Sequence, residues 1–328
     1  RTLHVQKLAR FDLESGATLR DVRQAYHLDG TVSAARDNVV LVLHALTGSA
    51  DAVGDWWRDV VGPGRAVDTA RWAIVSPNLL GSRYGTTGPA SGGKRRWPDI
   101  TTRDQARLAW ALLDELGIDR PALVVGGSLG GMVALEVAAT RPAAPRATVA
   151  LAAPAAHTAW AIGWNHAQRS ALDALPDEEG LKLARRIAML SYRAEAEFEQ
   201  RFGRTVSDDG RYAAQRWLDG HADRLAARFD ARTYRALIDA MDSHDVGRGR
   251  GGAAAALRAV KGRLVGVGIP TDTLYGEDIV RAWTAEAGTE YRRLESLYGH
   301  DGFLIEQASV GRLLADVLAD SNADEEAA

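Results

Sequence analysis

The chain contains no cysteine, which excludes disulfides, zinc–thiolate sites and any thiol nucleophile. An excess of charge of one sign is also missing. Forty basic residues against 43 acidic ones leave a formal net charge of −3, too small for a global field that recruits nucleic acid or anionic lipid. No clean apolar run reaches the ~20 residues of a membrane span, because Arg and Pro interrupt the alanine-rich stretch from Ala138 to Ala161. The opening from Arg1 to Arg20 is too polar for a signal peptide. The eight histidines are dispersed rather than grouped as metal ligands. These absences point to small-molecule partners, with no nucleic acid, no membrane and no metal, and they fit a cytoplasmic setting.

What remains is an ordinary globular composition, 46% hydrophobic and 25% charged over 328 residues, enough for one large α/β domain or two smaller ones. Short continuous apolar runs read as strands buried on both faces: Val39 to His44, Trp72 to Asn78, Ala122 to Gly127 and Ala147 to Ala153. Between them lie helical patterns, one capped by Thr101 or Thr102 and stopped by Gly117, another over Gly131 to Thr140. This alternation predicts a mostly parallel, doubly wound sheet. From about Ala155 to Ala256 the pattern is helical throughout; strands return at Arg263 to Ile269 and Tyr291 to Ser296, and a helix closes the chain. The expected organisation is a core in two parts, 1–154 and 257–320, interrupted by a helical lid over 155–256. A frayed acidic tail is expected over 321–328.

The stretch "VVGGSLGGMVALE" (Val124 to Glu136) places Ser128 in a G-x-S-x-G bend between a predicted strand and a predicted helix. That is the context of a nucleophile elbow. A serine nucleophile needs a base, and the base an orienting acid, in the chain order Ser, Asp or Glu, His for this topology. Asp272 follows one late strand and His300 follows another; each alone reads as a turn or loop residue, and the order of the three favours a triad. The backbone N–H of Leu129 is the first oxyanion donor expected. Leu46, in "HALTGSA" after an early strand, is the second. His44 precedes the serine and reads as a residue that shapes this loop.

Together these pieces resemble the homoserine O-acetyltransferase family of the α/β-hydrolase fold. The matching segments are "LHALTGSA", "GTTGPAS", "GGSLGGMVALE", "ARRIAMLSYR", "DSHDVGRGRGG" and "YGHDGFLIE", in family order along nearly the whole chain. The resemblance implies that Ser128, Asp272 and His300 form the catalytic triad. It also implies that Arg185, with help from Tyr192, binds the homoserine carboxylate, and that Asp301 binds its amino group. It implies two-step acyl transfer in methionine biosynthesis, with acetyl-CoA as co-substrate, no permanently bound cofactor, and a homodimer. Arg185 and Tyr192 are seven apart and so share a helix face. The sequence departs from the family pattern at Leu129, where methionine is usual, and at Arg83-Tyr84, where many relatives carry cysteine. Arg83 could meet a CoA phosphate or a succinyl carboxylate, or stay solvated. "ALDALPDEEGLKLARR" is shorter than the usual lid segment. The alternatives are a serine hydrolase, an acyltransferase for another acceptor (serine) or donor (succinyl-CoA), and a non-catalytic protein on the same scaffold, which the intact triad opposes.

Overall fold

The computed structural model describes residues 1–91 and 97–326. Its strands are β1 (Leu3–Asp12), β2 (Thr18–Asp29), β3 (Val39–Leu43), β4 (Val61–Gly62), β5 (Val67–Asp68), β6 (Ala73–Pro77), β7 (Leu123–Gly127), β8 (Ala147–Leu151), β9 (Arg263–Gly268) and β10 (Glu290–Arg293). Strands β4 and β5 form a small separate ribbon, and the other eight make one sheet in the order β1-β2-β6-β3-β7-β8-β9-β10. From β6 to β10 every pairing is parallel, while β1 and β2 add an antiparallel hairpin at one edge. This is the α/β-hydrolase architecture.

Successive strand residues point to opposite faces, and the apolar runs divide accordingly between two cores. Val39, Leu41, Leu43 and Val124 belong to one; Val40, Val42, Leu123 and Val125 belong to the other. The first face is covered by α1 (Thr102–Glu115), α2 (Leu129–Thr140) and α9 (Glu277–Ala287), the second by the short α10 (Gly302–Ile305), α11 (Gln307–Glu326) and the segment around Trp57. Helix α1 starts in a capping box: Thr101 Oγ1 accepts from the Asp104 N–H, and Asp104 accepts from the Thr101 N–H, both at 3.1 Å. Helix α11 extends as far as Glu326, into the segment expected to be a frayed tail; residues 327 and 328 lie outside the described residues.

The N-terminal hairpin is an element that the sequence reading did not predict. Its strands carry charged residues on an exposed face, and only Phe11, Leu19, Val22, Ala25 and Tyr26 supply buried apolar side chains. Of the two, only β1 is an edge strand, since β2 also pairs with β6, and the few buried apolar residues at irregular spacing give no continuous or strictly alternating apolar pattern.

Between β8 and β9 the chain forms α3 (Ala159–Ala174), α4 (Asp177–Tyr192), α5 (Glu195–Phe202), α6 (Ala213–Ala226), α7 (Ala231–Asp242) and α8 (Ala253–Arg258). Helix α4 is central to this block, packed on α3, α6 and α7. Helix α8 instead packs on α2 and α9, so it belongs to the layer flanking the sheet, and a boundary at 256 cuts through it. The "DSHDVGRGRGG" segment braces this junction. Glu136 on α2 is fully buried between Arg103, at 3.1 Å, and Arg250, at 2.7 Å. Removing either guanidinium would leave a buried carboxylate short of compensation.

Two buried histidines make the fold sensitive to acid. His44 accepts a hydrogen bond at Nε2 from the Leu79 N–H (3.0 Å) and donates from Nδ1 to the Ala45 carbonyl (2.7 Å). His244 donates from Nε2 to the Pro154 carbonyl (3.1 Å) and accepts at Nδ1 from Thr102 Oγ1 (2.9 Å). Burial pushes His44 down to about 4 and His244 down to about 3. In the unfolded chain both titrate near ~6.5, so below that pH the unfolded state binds protons that the folded state refuses. Stability should therefore be complete above about pH 6.5 and fall as pH drops through about 4, by up to about 1.4 kcal/mol per pH unit for each histidine. Urea unfolding midpoints at about pH 7, 6 and 5 should decrease in that order; a flat series would contradict this account.

Candidate active site

Ser128 stands between β7 and α2 with φ 56° and ψ −124°, a left-handed conformation that costs a non-glycine residue energy and persists only where its surroundings enforce it. The flanking glycines permit it. A Cβ at Gly126 would lie 2.3 Å from the Gly130 carbonyl carbon, and one at Gly130 would lie 2.1 Å from the Leu43 carbonyl oxygen. The bend therefore closes only with no side chain at either position, which is the physical content of the G-x-S-x-G spacing.

The structure brings the three expected side chains together. His300 Nε2 is 2.8 Å from Ser128 Oγ, and His300 Nδ1 is 2.7 Å from Asp272 Oδ2. All three residues are buried. Because the carboxylate accepts the Nδ1 proton, the Nε2 lone pair faces the serine hydroxyl, which is the arrangement a general base needs. Asp272 divides its two oxygens: Oδ2 meets His300, while Oδ1 accepts from the Leu274 and Tyr275 N–H groups at 2.8 and 3.0 Å. The turn reading and the triad reading of this residue thus describe different oxygens. Burial disfavours the His300 imidazolium, but the charge of Asp272, its hydrogen bond and the charge of Asp301 outweigh burial and raise the histidine above its ordinary value.

Leu129 is the first residue of α2, where backbone N–H groups have no partner within the helix. Leu46 lies in the turn after β3, closed by the Gly48 N–H donating to the Ala45 carbonyl. The close approach of Gly130 to the Leu43 and His44 carbonyls puts this loop against the start of α2. The two expected oxyanion donors therefore come from adjoining backbone segments. His44, with both ring nitrogens engaged by the Ala45 carbonyl and the Leu79 N–H, holds the loop, and these bonds leave it no lone pair or proton for the serine.

Around His300 lie the rings of Tyr192 (5.5 Å), Tyr275 (5.2 Å) and Phe303 (5.7 Å). Arg185 sits 5.8 Å from the Tyr192 ring centroid, as the seven-residue spacing on α4 predicts. Its Nε is buried with no hydrogen-bond partner among the described residues, a donor left open for an anion. Asp301 follows His300. Burial raises its carboxyl above the usual range, and Arg185, His300 and Arg193 each pull it back. A cavity of about 600 Å³ opens between the loop 45–51 and the lid, with Arg185, His221, Arg224 and Arg228 in its wall. His221 is pushed down to about 4 by burial and by neighbouring guanidiniums, so it stays neutral there. Arg228 ties lid to loop, donating to the Thr47 carbonyl and the Tyr84 hydroxyl, both at 2.7 Å. Arg83, expected either solvated or on a phosphate or carboxylate, pairs through Nη1 with Asp230 at 2.6 Å, and its side chain keeps 34% exposure. Among the described residues no group of His, Asp or Glu could hold a metal ion, and no helix is long and apolar enough to cross a membrane.

Sheet order, elbow and strand-end histidine define an α/β hydrolase, and the family model described as "alpha/beta hydrolase fold" matches residues 38–225. Within that class the chain belongs to the homoserine O-acetyltransferase family. It is 44% identical to the homoserine O-acetyltransferase of Clavibacter michiganensis subsp. michiganensis, over 94% of this chain and 90% of that one. The crystal structure of homoserine O-acetyltransferase from Staphylococcus aureus superposes with a TM-score of 0.85 at 26% identity, covering 97% of this chain and 95% of the other. Esterase E22, at 20% identity and a TM-score of 0.88 over 97% of this chain and 99% of its own, shares the fold. The alignment with the Clavibacter protein runs to 349 positions, more than the 328 residues of this chain, so that relative carries segments absent here.

Proposed function

We propose that the protein transfers the acetyl group of acetyl-CoA to the side-chain hydroxyl of homoserine through an acetyl-Ser128 intermediate. The hydrogen-bonded line from Asp272 through His300 to Ser128 carries this reading, with Arg185 against Tyr192 and Asp301 next to His300. In the first half-reaction His300 takes the Ser128 proton as Oγ attacks the thioester carbonyl. The Leu46 and Leu129 N–H groups stabilise the oxyanion, and His300 returns the proton to the departing CoA thiolate. In the second, the homoserine carboxylate sits on Arg185 and Tyr192 and its ammonium on Asp301. The homoserine hydroxyl loses its proton to His300 and attacks the acetyl carbonyl, and O-acetylhomoserine leaves as Ser128 recovers its proton. The lid keeps water from the acetyl-serine, whose hydrolysis would waste the intermediate.

The co-substrate is acetyl-CoA, the setting is cytoplasmic, and the assembly is a homodimer through the lid; Trp160 on α3 and Leu190 on α4, 59% and 48% exposed, support that surface, and sedimentation equilibrium measures it. The segments absent here favour a second reading, in which a different hydroxyl acceptor such as serine, a succinyl donor or water completes the reaction. One experiment separates these. Mass spectrometry after incubation with acetyl-CoA or succinyl-CoA alone should show an acetyl increment on Ser128, discharged by homoserine and not by serine. Succinylation, or discharge by water at the same rate without homoserine, would favour the second reading.

A further inference from the structure

Arg193 is the first residue beyond α4, directly after Tyr192. Its side chain is only 5% exposed, yet it meets neither Ser128 nor His300 by hydrogen bond among the described residues. Three kinds of contact fix it. Two parallel hydrogen bonds join it to Glu197, at 3.2 and 2.7 Å. Its guanidinium lies 5.4 Å from the Trp217 ring and 5.2 Å from the Tyr298 ring. Its remaining nitrogen, Nη1, is 3.6 Å from Asp301 Oδ2. Trp217 belongs to the lid and Tyr298 to the turn that carries His300, so this one planar cation joins the two. The backbone does the same. Gly299 has φ 63°, and a Cβ there would lie 2.9 Å from the Tyr192 carbonyl oxygen and from the Ala194 nitrogen.

Building on the acceptor-binding role proposed for Asp301, we infer that Arg193 is a positioning residue that holds Asp301 ionised and aimed at the acceptor's ammonium group. The 3.6 Å separation is the feature that makes this work. At that distance the guanidinium favours the carboxylate electrostatically without occupying its oxygens in a direct hydrogen bond, so they stay available to a substrate cation. Glu197 absorbs the fork of the guanidinium and Asp301 receives only its flank. Lysine could supply the charge but neither the fork nor the flat faces that the two rings require. Arg193 therefore serves the second half-reaction, in which the acceptor binds, and contributes little to the first.

The test uses the double variant Arg193→Met/Glu197→Leu. Methionine alone would leave the buried Glu197 with only the half-exposed Arg201, at 3.4 Å, whereas replacing a buried ion pair by apolar side chains of similar volume often leaves stability unchanged. Acetyl-enzyme is formed with acetyl-CoA and its discharge followed over a range of homoserine concentrations. The wild-type enzyme must acetylate and discharge to homoserine; if it does not, the functional reading itself fails. Given that, the folded double variant should acetylate within about threefold of wild type and need about tenfold or more homoserine for half-maximal discharge. Half-saturation within about twofold of wild type, or equal losses in both half-reactions, would overturn the role assigned to Arg193.

Discussion

Alanine at Ser128 is expected to lower acetyl transfer by about 10⁴-fold or more and to abolish the acetylated protein seen by mass spectrometry. No neighbouring thiol can substitute, because the chain has no cysteine. Asparagine at Asp272 should come close to the same loss, about 10⁴-fold, for a reason visible in the hydrogen bonds. Oδ1 accepts from two backbone N–H groups, so an amide at this position would keep its carbonyl there and turn its NH₂ toward His300 Nδ1. The imidazole would then carry its proton on Nε2, facing Ser128 with a donor where a lone pair is needed. The folded Asp272→Asn enzyme should bind substrates and fail to acetylate. Rapid acetylation of either variant would remove the triad from the mechanism.

The second large effect concerns the acceptor. Arg185→Ala should lower kcat/KM for homoserine by about 10²- to 10³-fold, the cost of truncating one partner of a buried charge pair. Acetylation by acetyl-CoA should change little. The buried, unpartnered Nε of Arg185 motivates the prediction, since such a donor is costly unless a ligand satisfies it. The variant also loses the strongest of the charges that pull Asp301 down, so binding of the substrate ammonium should weaken with binding of the carboxylate. Half-reaction kinetics over homoserine, serine and water as acceptors would read both effects. An unchanged preference for homoserine would show that amino-acid recognition resides elsewhere.

The inner sheet was legible because strands buried on both faces are mostly apolar, and β3, β6, β7 and β8, buried throughout, include only Ser76 and Thr148 as polar side chains. The hairpin β1–β2 was not, because an edge can be built from mixed side chains once backbone pairing and a few buried residues suffice. The convergence of Ser128, Asp272 and His300 could be inferred from chain order, since parallel strands place their ends at one edge of the sheet. Arg185 and Tyr192 came from the family resemblance, and helical periodicity added only that they share a face. Arg193 lay beyond that kind of reading. A four-residue spacing to Glu197 is that of any helical ion pair, and only the fold shows that two of its other contacts, Tyr298 and Asp301, come from the histidine turn. Arg83 illustrates the converse: as a lone cation in a glycine-rich loop it invited a phosphate, and its partner proved to be a lid carboxylate 147 residues away.

The lid leaves the sheet after β8 and returns to it at β9, and these two strands are immediate neighbours. Their pairing from Ala147 with Arg263 to Leu151 with Val267 is therefore indifferent to how much chain is spliced between them. Lengthening such an excursion twofold costs only about 0.6 kcal/mol in closure entropy. Evolution can thus prune or extend the roof of the site like a replaceable cassette while the hearth beneath it stays in register, and a transplant from a longer relative, cut at these two strand ends, becomes a practical way to alter which alcohol the acetyl-serine meets.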